Sequence, residues 1–350
     1  MTAEPTPIRV AVLGAGGLGK AAARIIGMKR ELRLCAICDS KGLLTSADGL
    51  ETQLIASLSG DLVSSYRAAI GATEERHGGG VAVATTGEAR YAEDPLGEIL
   101  SMADALDGVV VALPNLPNAF IPSVIERFAK AQASLVFVDV LKRTRAVELM
   151  FQLDEMVKAS RSVVMTGCGA TPGLLAAAAV LAAQSFIHVE QVKIWWGVGI
   201  AKWDAYTATI REDIAHLPGY TVERAKAMTD AEIEALLERT NGLLELRHME
   251  HADDLLLQRV GVIDDLTRVE VGGVMDTRHP KKPVSTTMTL TGITYEGKRS
   301  SHQFILGDET TMAANVIGPA LGYLKRGLWL KAHDLFGVFG STEFLPMVVR

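Results

Sequence analysis

Cysteine is scarce in this chain, and none of its three cysteines has the setting that redox chemistry requires. Cys35 and Cys38 form a C-x-x-C pattern, but they fall within a predicted strand. Redox pairs usually lie at a helix N-terminus, which lowers the thiol pKa. An odd cysteine count without a secretory signal is typical of a reducing compartment. The sequence therefore predicts buried structural cysteines in a cytoplasmic protein.

Long apolar runs and basic clusters are also missing. Apolar residues make up 48% of the chain, yet no apolar run reaches the length needed to cross a membrane. The net charge of −6 argues against nucleic acid as a partner. His248 and His251 lack H-E-x-x-H spacing, so no metal site is predicted, and 248–254 is interpreted as a polar strand end.

What the chain does have is a glycine-rich turn after an apolar strand, Ile8–Leu13, and before a helix. Gly14 permits the tight turn, Gly16 lets the backbone approach a pyrophosphate, and Gly19 allows close packing of the helix. The helix N-terminus attracts phosphate through its N–H groups. This unit predicts a dinucleotide site, for which the candidate residues are Gly14, Gly16, Gly17, Leu18 and Gly19.

The second predicted strand, about Leu32 to Cys38, ends at Asp39. A carboxylate at that position can accept hydrogen bonds from an adenosine ribose and would repel the 2′-phosphate of NADP. Ser40 is expected beside the ribose, whereas Lys41 weakens the discrimination. The expected cofactor is therefore NAD or NADP, with NAD slightly preferred.

Strands and helices alternate between residues 108 and 166, whereas 40–80 is predicted only as a helical excursion, followed by a strand at Val81–Ala84. The clean elements are strands Gly108–Leu113, Leu135–Val140 and Val163–Thr166 and helices Pro117–Lys130 and Arg145–Lys158. This alternation implies right-handed crossovers and a parallel sheet. The predicted class is α/β, with a Rossmann-type doubly wound parallel sheet spanning residues 1–166.

Residues 167–307 read as a second, α+β domain on an open, mostly antiparallel sheet. Its predicted strands are Val189–Val198, Leu243–Glu250, Thr267–Met275, Ser285–Thr294 and Lys298–Leu306. Thr221–Arg239 is its one clear helix, and Tyr295–Gly297 predicts a hairpin. Exposed sheet faces need covering, so a homodimer or higher oligomer is expected.

Asp308 is predicted to cap a final helix, Glu309–Leu324, interrupted at Gly318-Pro319 and packed on the first domain.

Ligands of doubly wound sheets bind at the carboxyl ends of the strands. Leu113, Pro114 and Asn115 follow one such end, together with Asn118. The prolines make the loop rigid, and the asparagines can bind amide or ribose oxygens, unless the loop is a simple turn.

Asp139 ends the next strand and would need a partner if buried; Lys142 or Arg143 is expected. Lys142 is a candidate catalytic residue that orients a carbonyl or moves a proton, with a solvated helix start as the alternative. Gly167 and Cys168 are expected to line the cofactor after the following strand, beside a helix N-terminus that suits an anionic, small-molecule substrate. Cys168 as a nucleophile, as in thioester-forming semialdehyde dehydrogenases, stays open as an alternative to packing.

The second domain offers Arg211, Glu212 and His216. Arg211 can bind a substrate carboxylate bidentately, and Glu212 can tune His216 one helical turn away. Arg211 and His216 are thus candidate catalytic-site residues. The alternative is a surface helix with a salt bridge.

The N-terminal unit, the Ala112-Leu113-Pro114-Asn115 loop and the Gly167–Gly173 junction together resemble saccharopine dehydrogenase-like oxidoreductases. The resemblance implies NAD(P)-dependent oxidation or reduction of C–N bonds in amino-acid conjugates. Residues 108–169 are also similar to the glucose–fructose oxidoreductase and inositol dehydrogenase group, where Lys142 would take the place of the active-site lysine. That resemblance implies a sugar or polyol substrate. A nicotinamide-binding sensor or scaffold without turnover is the remaining alternative.

Overall fold

The computed structural model describes residues 6–76, 87–115, 117–200, 210–307 and 312–350, without the side chains of 72–76, 212 and 312. The chain divides into two units. The first comprises Met1–Gly173 and Ala313–Arg350, and the second comprises Leu174–Met312. The predicted Val81–Ala84 strand and the Asp308 cap lie outside the described residues.

A mostly parallel sheet forms the centre of the first unit. Its described strands are β1 (Ile8–Leu13), β2 (Leu32–Cys38), β3 (Gly42–Thr45), β4 (Glu88–Tyr91), β5 (Gly108–Val111), β6 (Val136–Asp139), β7 (Val163–Thr166) and β13 (Gly337–Gly340). The strand order is β13-β7-β6-β5-β1-β2-β3-β4, with β3 and β4 antiparallel. The middle strands are Val- and Ile-rich and buried on both faces, because helices cover the sheet on both sides.

Helices α1–α7 connect these strands. They are α1 (Gly17–Ile26), α2 (Thr52–Ser57), α3 (Leu62–Arg76), α4 (Pro95–Ser101), α5 (Phe120–Lys130), α6 (Thr144–Phe151) and α7 (Asp154–Ala159). The excursion predicted for 40–80 is only partly helical, because β3 adds to the sheet edge before α2. The helix predicted at Arg145–Lys158 is two helices, α6 and α7.

The second unit contains the predicted open sheet. Its elements are α8 (Leu174–Ala183), β8 (Phe186–Gly199), α9 (Ile210–Ile214), α10 (Val222–Ala227), α11 (Asp230–Arg239), β9 (Leu243–Leu246), α12 (Asp253–Arg259), β10 (Val269–Asp276), β11 (Thr286–Thr294) and β12 (Arg299–Leu306). The strand order is β12-β11-β8-β10-β9, antiparallel except for β8 with β10. The hairpin predicted at Tyr295–Gly297 is present between β11 and β12.

The last helix, α13 (Met312–Ala332), belongs to the core of the first unit. The interruption predicted at Gly318-Pro319 is wrong, because the helix continues through Pro319. Proline removes one helical hydrogen bond, but Leu321 and Leu324 of the following turn are buried in the core. That apolar burial offsets the lost bond. In the described part of the chain, no helix combines the length and apolarity that membrane crossing demands.

Candidate functional site

The glycine turn joins β1 to α1 as the sequence predicts. Gly14 has φ +103°, a left-handed conformation that favours glycine, and its N–H donates to the carbonyl of Cys38 at 2.9 Å. A Cβ on Gly19 would overlap the carbonyl of Gly14. The turn and the helix can therefore approach each other only because both residues lack a side chain.

Open space lies in front of α1. Its cap residue, Gly16, provides no side-chain hydrogen bond to the helix. A Cβ on Gly16 or Gly17 would have no protein heavy atom within 4 Å, and both residues are exposed. An uncapped helix N-terminus with a clear approach suits a diphosphate group. The geometry of this turn therefore fits a dinucleotide.

Asp39, the predicted ribose acceptor, is bound to its own turn. Its Oδ1 accepts the N–H groups of Lys41 at 2.8 Å and Gly42 at 3.0 Å. Its Oδ2 accepts the N–H of Leu62, at the start of α3, at 3.4 Å. Each carboxylate oxygen has two lone pairs, so Asp39 can still accept a ribose hydroxyl. Ser40, its neighbour, is exposed.

The loop that contains residues 113–115 begins beside the glycine turn, because a Cβ on Gly14 would clash with the carbonyl of Ala112 and lie 3.3 Å from the N atom of Leu113. Further along this loop, the Oδ1 atom of Asn118 is buried, and no described group donates a hydrogen bond to it. A buried acceptor without a donor marks a place where a bound molecule can supply one. The structure thus brings two predicted cofactor-binding loops together at the carboxyl edge of the sheet.

Asp139 ends β6 and is only 1% exposed. Its Oδ1 accepts hydrogen bonds from the N–H of Leu141 at 3.0 Å, the N–H of Gly167 at 2.9 Å and the hydroxyl of Thr166 at 3.1 Å. Burial raises the pKa of Asp139 to about 6, against the opposing effect of these donors. The expectation of a charged partner from Lys142 or Arg143 is wrong, because uncharged donors of Leu141, Thr166 and Gly167 satisfy Oδ1.

Lys142 follows three residues later and is half-buried. Within the described part of the chain it forms no hydrogen bond or ion pair. Its ammonium group at the carboxyl edge of the sheet is therefore available to a ligand, which is what the predicted catalytic role needs.

Cys168 is completely buried, and burial raises its pKa well above the usual thiol value. A nucleophilic cysteine needs a low pKa and access to its substrate. The thioester alternative therefore does not fit the structure. Gly167 has φ +64° and donates its N–H to Asp139. Both residues of this turn therefore make their contacts inside the first unit.

In the second unit, Arg211 does not offer a free guanidinium group. It donates to the carbonyl of Met228 at 3.0 Å and to Asp230 Oδ1 at 2.7 Å, which ties α9 to the start of α11. Its role as a carboxylate anchor stays a prediction that requires these bonds to open. His216 lies two residues beyond the end of α9, and the side chain of Glu212 lies outside the described part of the chain, so their pairing stays a prediction.

Sequence reasoning missed a buried pair in the second unit. His251 Nδ1 lies 2.6 Å from Asp253 Oδ2, and the two side chains are 5% and 0% exposed. Asp253 begins α12, so the predicted polar strand end is wrong. Acidic residues before an apolar run are a helix-start signal that could have revealed it. The described residues contain no group of three or more His, Cys, Asp or Glu that could hold a metal ion.

Comparison with protein-family models gave no match. Among curated proteins, the (S)-8-amino-7-oxononanoate synthase BioU of Haloferax mediterranei is 43% identical over 349 residues. The matched region covers 97% of this chain and 99% of BioU. A relationship of this strength over both whole chains establishes a shared family.

Similar solved structures are dehydrogenases of low sequence identity. C. glutamicum DAP dehydrogenase in complex with DAP is 16% identical, with a TM-score of 0.56 over 97% of this chain and 94% of that chain. An engineered D-amino acid dehydrogenase bound to NADP+ is 16% identical, with a TM-score of 0.55 over 97% of this chain and 94% of that chain. Apo saccharopine dehydrogenase from Saccharomyces cerevisiae is 10% identical, with a TM-score of 0.55 over 96% of this chain and 94% of that chain. These structures confirm the α/β Rossmann-type fold and carry no information on activity.

The BioU relationship corrects the predicted family and function. Neither the saccharopine dehydrogenase-like nor the glucose–fructose oxidoreductase assignment holds, and the predicted oxidoreductase function on amino-acid conjugates is wrong. A glycine turn and strand-end loops belong to the fold, which many unrelated activities share, so they could not identify the substrate. The alternative of a protein without turnover is also wrong, because the relative is an enzyme. This chain is an enzyme of the BioU family.

Proposed function

We propose that this chain has the activity for which its relative is named, that of an (S)-8-amino-7-oxononanoate synthase. The observation that carries the proposal is 43% identity over 97% of this chain and 99% of BioU. The matched region takes in residues of both units of this chain.

The named compound makes two demands on its site. It has a carboxylate at one end of a nine-carbon chain and, near the other end, a ketone beside an amine. The ketone oxygen needs a hydrogen-bond donor, and a proton has to reach or leave this region when the ketone forms or reacts. We assign that role to the ammonium group of Lys142, a half-buried residue in the loop that follows β6.

The glycine turn supports a second part of the proposal, namely that NAD or NADP binds there. Residues 14–19 would hold the diphosphate, and Asp39 would accept the ribose hydroxyls. The open approach to Gly16 and Gly17 supports this assignment. Asp39 already accepts hydrogen bonds from three backbone N–H groups. Because these bonds occupy part of its capacity to bind a ribose, we expect only a weak preference for NAD. Fluorescence titration with NADH and NADPH measures it, and absence of binding by both would reject the cofactor.

The activity is tested with purified enzyme. Mass spectrometry would follow the amount of 8-amino-7-oxononanoate in reactions with and without each nicotinamide nucleotide, in both redox states. We expect the amount to change only in the presence of active enzyme. If no nucleotide condition changes it, the proposed activity is rejected.

Lys142→Met tests the assigned residue. We expect the rate to fall by about a hundredfold or more, as for loss of a proton-transfer group. The melting temperature should not change, because Lys142 has no bond to lose within the described residues. Lys130→Met is the matched control, since Lys130 is exposed on α5 and forms a surface ion pair with Glu126. Equal rates for the two variants would remove Lys142 from the mechanism.

The second sheet supports a proposal of self-association. β12 is an edge strand with exposed residues along almost its whole length, including Phe304 and Ile305. Unpaired edge strands pair readily with another copy. We expect a dimer by light scattering and a monomer for Ile305→Lys. A monomeric wild type would reject the proposal.

Cysteine chemistry supports a cytoplasmic location. Cys35, Cys38 and Cys168 are all free and buried. Proteins of oxidising compartments usually pair their cysteines. Fractionation of cells that express the tagged protein would place it, and recovery outside the cytoplasm would reject this location.

A further inference from the structure

Asp139 occupies the carboxyl end of a central strand. Its strand, β6, pairs with β5 on one side and β7 on the other, and all four of its residues are buried. The loop that follows carries Lys142. The turn after the neighbouring strand β7 contains Gly167 and Cys168. Asp139 therefore lies where two loops at the edge of the sheet meet.

Four hydrogen bonds join these loops to this one residue. Oδ1 accepts three of them, from Leu141 N–H, Thr166 hydroxyl and Gly167 N–H. The backbone carbonyl of Asp139 accepts the fourth, from the N–H of Cys168 at 2.9 Å. One of the side-chain bonds reaches the Lys142 loop, and the other two reach the end of β7 and its turn. A single oxygen atom thus connects both segments.

Within the described residues, the surroundings of this carboxyl group contain no cationic partner for it. Oδ2 is buried without a hydrogen-bond partner among the described residues, and no cation contributes to the pKa of Asp139. The neighbouring titratable group is Cys168, and Tyr323 of α13 lies beyond it. Burial raises the pKa of both, so both stay neutral. With 1% exposure, Asp139 offers almost no surface to a ligand.

We propose that Asp139 is a positioning residue, whose Oδ1 holds the Lys142 loop against the Gly167–Cys168 turn and so keeps the lysine ammonium in one place. This inference rests on the catalytic role proposed above for Lys142. A loop held at one point by a buried acceptor loses little entropy when a ligand arrives, because its ordering has already occurred on folding.

Three variants separate this role from simple packing. Asp139→Asn keeps an acceptor oxygen in the same place, whereas Asp139→Ala removes it. Thr166→Val deletes one donor, preserves side-chain volume and serves if the alanine variant does not fold. Asp107→Asn is the matched control, because Asp107 pairs with Arg9 at the opposite edge of the sheet.

The first measurement is amide hydrogen exchange at Leu141 and Gly167, which needs no substrate. Loss of a hydrogen bond of about 1 kcal/mol predicts exchange about fivefold to tenfold faster in Asp139→Ala. Thr166→Val should fall between it and the wild type. Asp139→Asn and Asp107→Asn should match the wild type.

The second measurement is steady-state kinetics. Misplacement of Lys142 predicts that kcat falls at least about tenfold in Asp139→Ala, with little change in KM, and that Asp139→Asn restores it. If the enzyme proves to have no activity on the named compound, the rate of Lys142 acylation by an N-hydroxysuccinimide ester replaces kcat. It should rise in Asp139→Ala and not in Asp139→Asn.

Two results would overturn the inference. One is wild-type exchange at Leu141 and Gly167 in a folded Asp139→Ala protein. The other is faster exchange with unchanged kcat and unchanged Lys142 acylation. Failure of Lys142→Met to lower the rate, with the exchange pattern as expected, would instead count against the proposed function.

Discussion

At the scale of single residues, the glycines of the first turn lack side chains for different reasons. Gly14 has φ +103°, and Gly19 packs against the carbonyl of Gly14. Both are required by the fold. Gly16 has neither constraint, and a Cβ there would meet no protein atom within 4 Å. What a side chain at Gly16 would obstruct is a ligand approaching the N-terminus of α1.

Gly16→Val separates these two requirements. We expect the affinity for NADH or NADPH to fall by about tenfold or more, because the diphosphate needs close approach to the backbone. The melting temperature should stay close to that of the wild type. Gly71→Val, at an exposed position of α3 with equally open surroundings, is the control. Fluorescence titration and thermal melts measure both effects, and unchanged nucleotide affinity would remove the glycine turn from the site.

At the scale of elements, a charged cluster holds the C-terminal segment to the first unit. Glu31, between α1 and β2, accepts from Lys325 of α13 at 2.6 Å and from the N–H of Arg350 at 3.0 Å. Glu31 donates its own N–H to the carbonyl of Arg350 at 3.0 Å. The bond from Lys325 is the main cause that lowers the pKa of Glu31 to about 2. The carboxylate form is therefore the one that holds the segment.

This cluster predicts a stability that depends on pH. A lowered folded-state pKa contributes stability above the unfolded value of 4.5, and the contribution is lost as pH falls towards 2. Glu31→Gln should lower the free energy of unfolding by roughly 1–3 kcal/mol at pH 7, as for lost hydrogen bonds to a charged group. The difference from the wild type should shrink as the pH falls below 4.5. Urea titrations at several pH values measure it, and a constant difference would contradict the assignment.

At the scale of the whole molecule, the first unit is assembled from the two ends of the chain. α13 contributes Leu321, Tyr323 and Leu324 to a core that also contains Val10 of β1 and Val136 of β6. β13 then pairs in parallel with β7. The first unit therefore cannot complete its core until the chain has passed through the second unit.

Leu324→Ala tests that dependence. Leu324 is fully buried, and its side chain lies against Gly108 at the start of β5. A cavity at this position should cost roughly 2–5 kcal/mol of unfolding free energy. Leu181→Ala on α8, where the leucine is 58% exposed, should cost little. Denaturant unfolding measures both variants, and equal stability would show that α13 adds no more than surface contact.

The sequence by itself determined the local units. The strand–turn–helix at 8–26, the alternation of buried strands and helices, and the β11–β12 hairpin follow from periodicity and turn chemistry, which act over a few residues. The fold class followed from these units. The substrate did not follow from them, because the glycine turn and the strand-end loops belong to the fold, which many unrelated activities share.

Only the tertiary structure decided which distant groups meet. Asp139 takes two of its three side-chain donors from the end of the next strand and its turn and none from the side chain of Lys142, and Arg211 is bound to Asp230. Pro319 stays inside a helix because the core lies on both sides of it. Each outcome depends on which groups burial brings together from far apart in the chain, and no short sequence pattern contains that information.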